Sequence, residues 1–177
     1  LAIEHPERVR SLVSIMSTTG SRWVGTPTFK AFGLMLAKAP RGREEFIERI
    51  ERTFAVIGSP AYSTDAERLR RMAGAMYDRS HNPRGVLRQM HAITTSGDRT
   101  AALRKLRLPA AVIHGTSDPL IRPSGGRATA GAIPGARLRI VEGMGHDLPR
   151  ALWPLFIDEI ADTASRAGRH ARAEQPA

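Results

Sequence analysis

Ala110-Ala111-Val112-Ile113-His114-Gly115-Thr116-Ser117-Asp118-Pro119 and Ala136-Arg137-Leu138-Arg139-Ile140-Val141-Glu142-Gly143-Met144-Gly145-His146-Asp147 are the two stretches on which the fold turns. Each is a short run of strand character that breaks into a loop of glycine and turn-forming residues. The first run follows Leu108-Pro109 and is continuously apolar, as in a buried strand; the second alternates, as in a strand with one wetter face. Between them, Arg127–Ile133 reads as a helix ended by Pro134-Gly135. Strand, helix and strand at this spacing imply parallel strands joined by a right-handed crossover. Both loops then leave the C-terminal ends of their strands at one sheet edge, where binding crevices lie.

The elements outward of this unit extend the same architecture. Leu152–Ala167 has the spacing of an amphipathic helix that would cover the sheet, and the polar residues 168–177 read as a disordered tail. Upstream, Val9-Arg10-Ser11-Leu12-Val13-Ser14-Ile15-Met16 has a strand's length and β-branched content. Leu1–His5 reads as the end of a helix halted by Pro6, and with no initiating Met the chain is expected to be the later part of a longer protein. Residues 21–106 differ in kind. Phe29, Phe32 and Leu36, then Phe46, Ile47, Ile50, Phe54 and Ile57, repeat at helical spacing. Thr64-Asp65-Ala66-Glu67 and Asn82-Pro83 open two more helices. The expected organisation is a core at 1–20, a helical insertion at 21–106, a core at 107–167 and a tail at 168–177.

Composition excludes several classes. The 177 residues contain no Cys, which removes a disulfide framework, a thiolate metal site and a cysteine nucleophile. No run of apolar residues is long enough to span a bilayer, so no membrane partner is expected and the compartment is read as cytoplasmic. The net charge of +10 comes mostly from Arg scattered among Glu and Asp, as in Glu67-Arg68-Leu69-Arg70-Arg71. A phosphate-binding surface concentrates its charge on one face or tail, so solvated helix faces rather than nucleic acid account for it.

Asp118 and His146 are separated by enough chain to sit on neighbouring strands and meet over their common edge. An imidazole held by a carboxylate is the device that takes a proton from a nucleophile. Asp147 adjoins His146 and is the competing carboxylate. His114, His81, His91, His5 and His170 default to packing or surface roles, with no metal-ligand spacing among them.

His114-Gly115-Thr116-Ser117-Asp118-Pro119 and Gly143-Met144-Gly145-His146 together resemble the acid loop and the histidine loop of the α/β-hydrolases. The similarity is greatest to capped esterases such as the aclacinomycin methylesterases and the enol-lactonases. Glu4-His5-Pro6-Glu7-Arg8-Val9 is similar to that family's approach to its sixth strand. The resemblance implies an α/β fold class: a parallel sheet with covering helices, a partial α/β-hydrolase fold, and an inserted helical cap over 21–106. It implies Asp118 and His146 as catalytic residues, a small-molecule ester or lactone as substrate, and chemistry that needs no metal or organic cofactor. Trp23, Met76 and Met90 of the insertion, and Met144 beside His146, are the residues expected to contact an apolar substrate.

The same family places its nucleophile on a G-x-S-x-G elbow, and the sequence contains no such motif. By analogy the serine lies roughly ten residues before Leu1, so the chain alone is expected to be inactive. Thioesterase, epoxide hydrolase, dehalogenase and haloperoxidase relatives stay open. The alternative is a truncated or pseudo-hydrolase that acts as a non-catalytic binding module.

Overall fold

A computed structural model describes residues 1–62 and 64–173. Three strands form one parallel sheet in the order β1-β2-β3: β1 is Leu12–Ile15, β2 Ala110–Gly115 and β3 Arg137–Val141. Leu12 stands opposite Ala110 and Ile15 opposite Ile113, while Ala111 faces Arg137 and Gly115 faces Val141. The central strand β2 is buried along its whole length. That explains its unbroken apolar sequence, since a parallel strand covered on both faces has no wet side to alternate towards.

Parallel neighbours need long crossovers. Helices α1 (Phe29–Met35), α2 (Arg43–Ile57), α3 (Ala66–Arg79), α4 (Pro83–Thr95) and the single turn α5 (Thr100–Leu103) connect β1 to β2. Helix α6 (Ser124–Ala132) connects β2 to β3, and α7 (Trp153–Ala173) closes the described chain. The helix starts follow local chemistry. Thr28 Oγ1 accepts from the Ala31 amide, Asp65 from the Arg68 amide and Asn82 from the Gly85 amide, with Pro83 at the first helical position.

The sheet divides the core in two. On one face Leu12 and Ala110 pack with Leu103, Leu106, Ala132 and Ile133, from α5, α6 and the segments that follow them. On the other, Val13, Ile15, Ile113 and Val141 pack with Met144, Leu152 and Phe156. Each large side chain taken from water here contributes about 1.5–3 kcal/mol. The period-2 alternation of β1 and β2 decides which residue serves which cluster.

Several expectations shift at element ends. Leu1–His5 form one turn closed by the His5 amide on the Leu1 carbonyl at 2.7 Å, rather than a regular helix, and Pro6–Arg8 make a 3-10 turn. Helix α6 begins at Ser124, earlier than Arg127; Gly125 and Gly126 in its first turn are buried, with Gly126 beside His114 of β2 and Gly125 beside Ser17, Thr18 and Ile121. Helix α7 continues to Ala173 instead of ending at Ala167, so 168–173 are helical where a disordered tail was expected; 174–177 lie outside the described residues. The apolar residues Val86, Leu87 and Ile93 of α4 are largely exposed. Periodicity reports that a helix has an apolar face, not what covers it.

Candidate active site

The two loops converge because strand pairing forces them to. The Thr116 amide continues the β2–β3 ladder onto the Val141 carbonyl at 2.9 Å, and the Ser117 amide donates to the Met144 carbonyl at 3.0 Å. Gly143 donates back to Thr116 Oγ1 at 2.9 Å. Gly115 lets the chains approach this closely: a Cβ there would stand 2.0 Å from the Met144 carbonyl oxygen.

Asp118 is fully buried at the turn after β2, and one oxygen, Oδ1, accepts the amides of Leu120 and Ile121, both at 2.9 Å. The other, Oδ2, accepts from His146 Nδ1 at 2.8 Å. An ionised carboxylate only accepts, so the shared proton belongs to Nδ1 and leaves Nε2 with its lone pair. The imidazole keeps about a quarter of its side chain exposed (24%), enough to be reached from outside while its partner is not. Such a pair can accept a proton at Nε2 and stabilise the resulting imidazolium.

His114, also fully buried, donates Nε2–H to the Ile121 carbonyl at 2.7 Å and lies 3.5 Å from Asp118 Oδ2. It braces the turn that carries Asp118. Asp147, the competing carboxylate, is bonded to the Ser59 hydroxyl. Among the described residues no group of three His, Asp or Glu side chains is placed to hold a metal ion.

The residues expected to meet substrate fare differently. Met144 is buried. Its side chain is 0% exposed and packs with Ile113, Val141, Leu152 and Phe156 beneath the loop. Among the described residues Met144 therefore lies in the core, while His146 on the same loop keeps part of its ring exposed. Trp23 is 79% exposed, under the Arg22 guanidinium, and Met76 is 40% exposed on α3. Met90 is half-buried on α4. None of these three lines either cavity next to the loops.

Those cavities show what sequence reasoning missed. One, of about 320 Å³, lies between the acid loop and the α2–α3 connection and is lined by Phe54, Ser59, Pro60, Tyr62, Ser117 and Pro119. The other, of about 520 Å³, sits beside the histidine loop and includes Phe54, Leu69, Met72, Leu148 and Pro149. Gly58-Ser59-Pro60 carried a signal only as a helix stop; nothing local in it points to a partner more than eighty residues away.

No protein-family model matches the chain. Among solved structures it is similar to the enol-lactonase from Burkholderia xenovorans LB400, at 20% identity with a TM-score of 0.68 over 93% of this chain and 60% of that one. A meta-cleavage product hydrolase from Pseudomonas fluorescens IP01 matches at 16% identity and a TM-score of 0.62, over 96% of this chain and 59% of that one. The esterase RhEst1 from Rhodococcus sp. ECU1013 matches at 20% identity and a TM-score of 0.60, over 89% and 56%. The chain therefore has a partial α/β-hydrolase fold and spans about three-fifths of the length of these structures. Among the described residues no helix is long and apolar enough to cross a membrane.

Proposed function

We propose that this chain forms the acid–histidine portion of a serine-type hydrolase whose substrates are carboxylic esters or lactones of small, largely apolar molecules. The observation that carries the proposal is the 2.8 Å bond from His146 Nδ1 to a buried, otherwise satisfied Asp118 carboxylate at the rim of a parallel sheet. Solved structures that include an enol-lactonase and an esterase support the substrate class.

In this mechanism Nε2 of His146 takes the proton of a serine hydroxyl as its oxygen attacks the ester carbonyl. Asp118 holds the imidazole in the tautomer that can do so and stabilises the imidazolium. The same proton passes to the departing alkoxide, leaving an acyl-serine. His146 then deprotonates water, which attacks the acyl carbon, and returns that proton to the serine. The serine and the amides that receive the oxyanion would come from a G-x-S-x-G elbow and an earlier strand loop, neither of which this sequence contains. Residues 21–106 serve as a cap, and the apolar cavities at Phe54 and Leu148 would receive the acyl or ring portion of the substrate.

The test is hydrolysis of nitrophenyl esters by protein expressed from the complete reading frame. Turnover is expected, and His146→Ala is expected to reduce it roughly 10⁴-fold, while the 177-residue chain alone stays inactive. Turnover that survives His146→Ala unchanged would overturn the proposal. A frame with no nucleophile-bearing elbow would favour the binding module instead.

A further inference from the structure

The segment that leaves α2 is bonded to the histidine loop on both sides of the imidazole. The His146 amide donates to the Ile57 carbonyl at 2.6 Å, and the Gly145 amide donates to Ser59 Oγ at 2.8 Å. Ser59 in turn donates its hydroxyl proton to Asp147 Oδ1, and the Ala61 amide donates to the Gly143 carbonyl at 3.2 Å. One buried hydroxyl thus accepts from the residue before His146 and donates to the residue after it, using both capacities of a serine. The approach is tight. A Cβ on Gly145 would lie 2.4 Å from the Ile57 carbonyl oxygen and 2.5 Å from the Gly58 carbonyl.

From the opposite side the loop is bonded to the acid loop, through Ser117 to Met144 and Gly143 to Thr116. The Nδ1 to Asp118 distance depends on where the His146 backbone stands. Two walls set that backbone: β2 with its loop, and the end of a helix inserted between β1 and β2. The proton transfer itself uses only the first wall. Ser59 belongs to the second and touches neither the imidazole nor Asp118 in the hydrogen-bond pattern described above.

We propose that Ser59 is a positioning residue for His146, locking the loop through Gly145 and Asp147 so that the placement of the imidazole over Asp118 depends on the seat of helix α2. This rests on His146 being the base, but its physical content, a loop held by one hydroxyl, is separable from catalysis. A displacement of α2 is transmitted directly to the base, because the carbonyl of its last residue holds the His146 amide.

Hydrogen exchange of the Gly145 and His146 amides, together with water exchange of the His146 Nδ1 proton in NMR spectra, tests the inference on protein expressed from the complete reading frame. Ser59→Ala is expected to speed all three roughly tenfold, as losing a buried hydrogen bond opens a loop. Ser59→Thr, which keeps the hydroxyl, is expected to restore them. Asp147→Ala, on a half-exposed side chain, is the second variant and is expected to act in the same direction as Ser59→Ala. Thr163→Val removes a buried hydroxyl bonded within α7 and is expected to leave the three signals as they are. Unchanged exchange in both Ser59→Ala and Asp147→Ala overturns the proposal, as does an effect that Ser59→Thr fails to restore. Loss of hydrolysis in the complete protein with the exchange pattern intact counts against the catalytic reading only.

Discussion

His146 and Asp118 meet through a single bond of 2.8 Å, Nδ1 to Oδ2, between a partly exposed ring and a carboxylate with no exposed surface. The geometry has a direction. Asp118 spends Oδ1 on two amides of its own turn, which leaves Oδ2 aimed at the ring. The ring is held by one nitrogen and presents the other.

Asp118→Asn separates geometry from charge. The amide oxygen can still accept from Leu120 and Ile121, so the fold is expected to hold, with a melting temperature within a few degrees of the parent. The amide NH2 would then face Nδ1 and favour the tautomer with its proton on Nε2, the wrong one for a base. Turnover of nitrophenyl esters by the complete protein is expected to fall roughly 10⁴-fold with little change in KM. A kcat within tenfold of the parent would remove Asp118 from the proposed role.

Met144 is expected to behave as a core residue. Met144→Ala should destabilise by about 2–5 kcal/mol, because the cavity it leaves beneath the loop is walled by β2, β3 and α7. Met144→Leu should cost less than about 1.5 kcal/mol. Urea unfolding monitored by tryptophan fluorescence measures both. A Met144→Ala chain as stable as the parent would show that the side chain does not pack where the structure puts it.

The Arg43–Asp78 pair predicts an acid-side dependence of the α2–α3 packing. Arg43 grips both carboxylate oxygens, at 2.8 and 3.0 Å, and its hydrogen bond holds the Asp78 carboxyl below the usual aspartate range. A group whose pKa is lowered by folding stabilises the fold above its unfolded value, and loses that contribution as pH falls through its folded value. Stability is thus expected to drop on acidification below the ordinary carboxylate range. In Arg43→Met the Asp78 carboxyl should titrate at higher pH and this part of the drop should vanish. Carboxyl-carbon NMR titration and melting temperature against pH report the two effects. Both side chains are more than half solvated or nearly so, which keeps the effect small.

Strand β1 pairs on one side only, and Phe29, Leu36, Val86 and Leu87 are exposed in the described chain. A parallel edge beside uncovered apolar helices favours association. The 177-residue chain in isolation is expected to bind a hydrophobic dye and to self-associate with rising concentration in sedimentation velocity. A sharp monomer at every concentration, with no dye binding, would contradict this.

Most of the elements and the order of the acid and the histidine were legible in the sequence, because each rests on chemistry within a few residues. Continuous apolar character marks β2, helical periods mark α2 and α3, Asp65 and Asn82 cap their helices, and glycine-rich turns follow β2 and β3. Parallel pairing then required Asp118 and His146 to share an edge. What folding in three dimensions decided is which neighbours fill the space around those loops. Met144 and His146 sit on one short turn, and only the packing of Val141, Leu152 and Phe156 against it sends one inward and the other out. Ser59 looks like punctuation after a helix until the chain brings Gly145 and Asp147 to it from more than eighty residues away. Local propensity acts along the backbone, whereas burial and hydrogen-bond partnership are set by atoms that the linear order keeps apart.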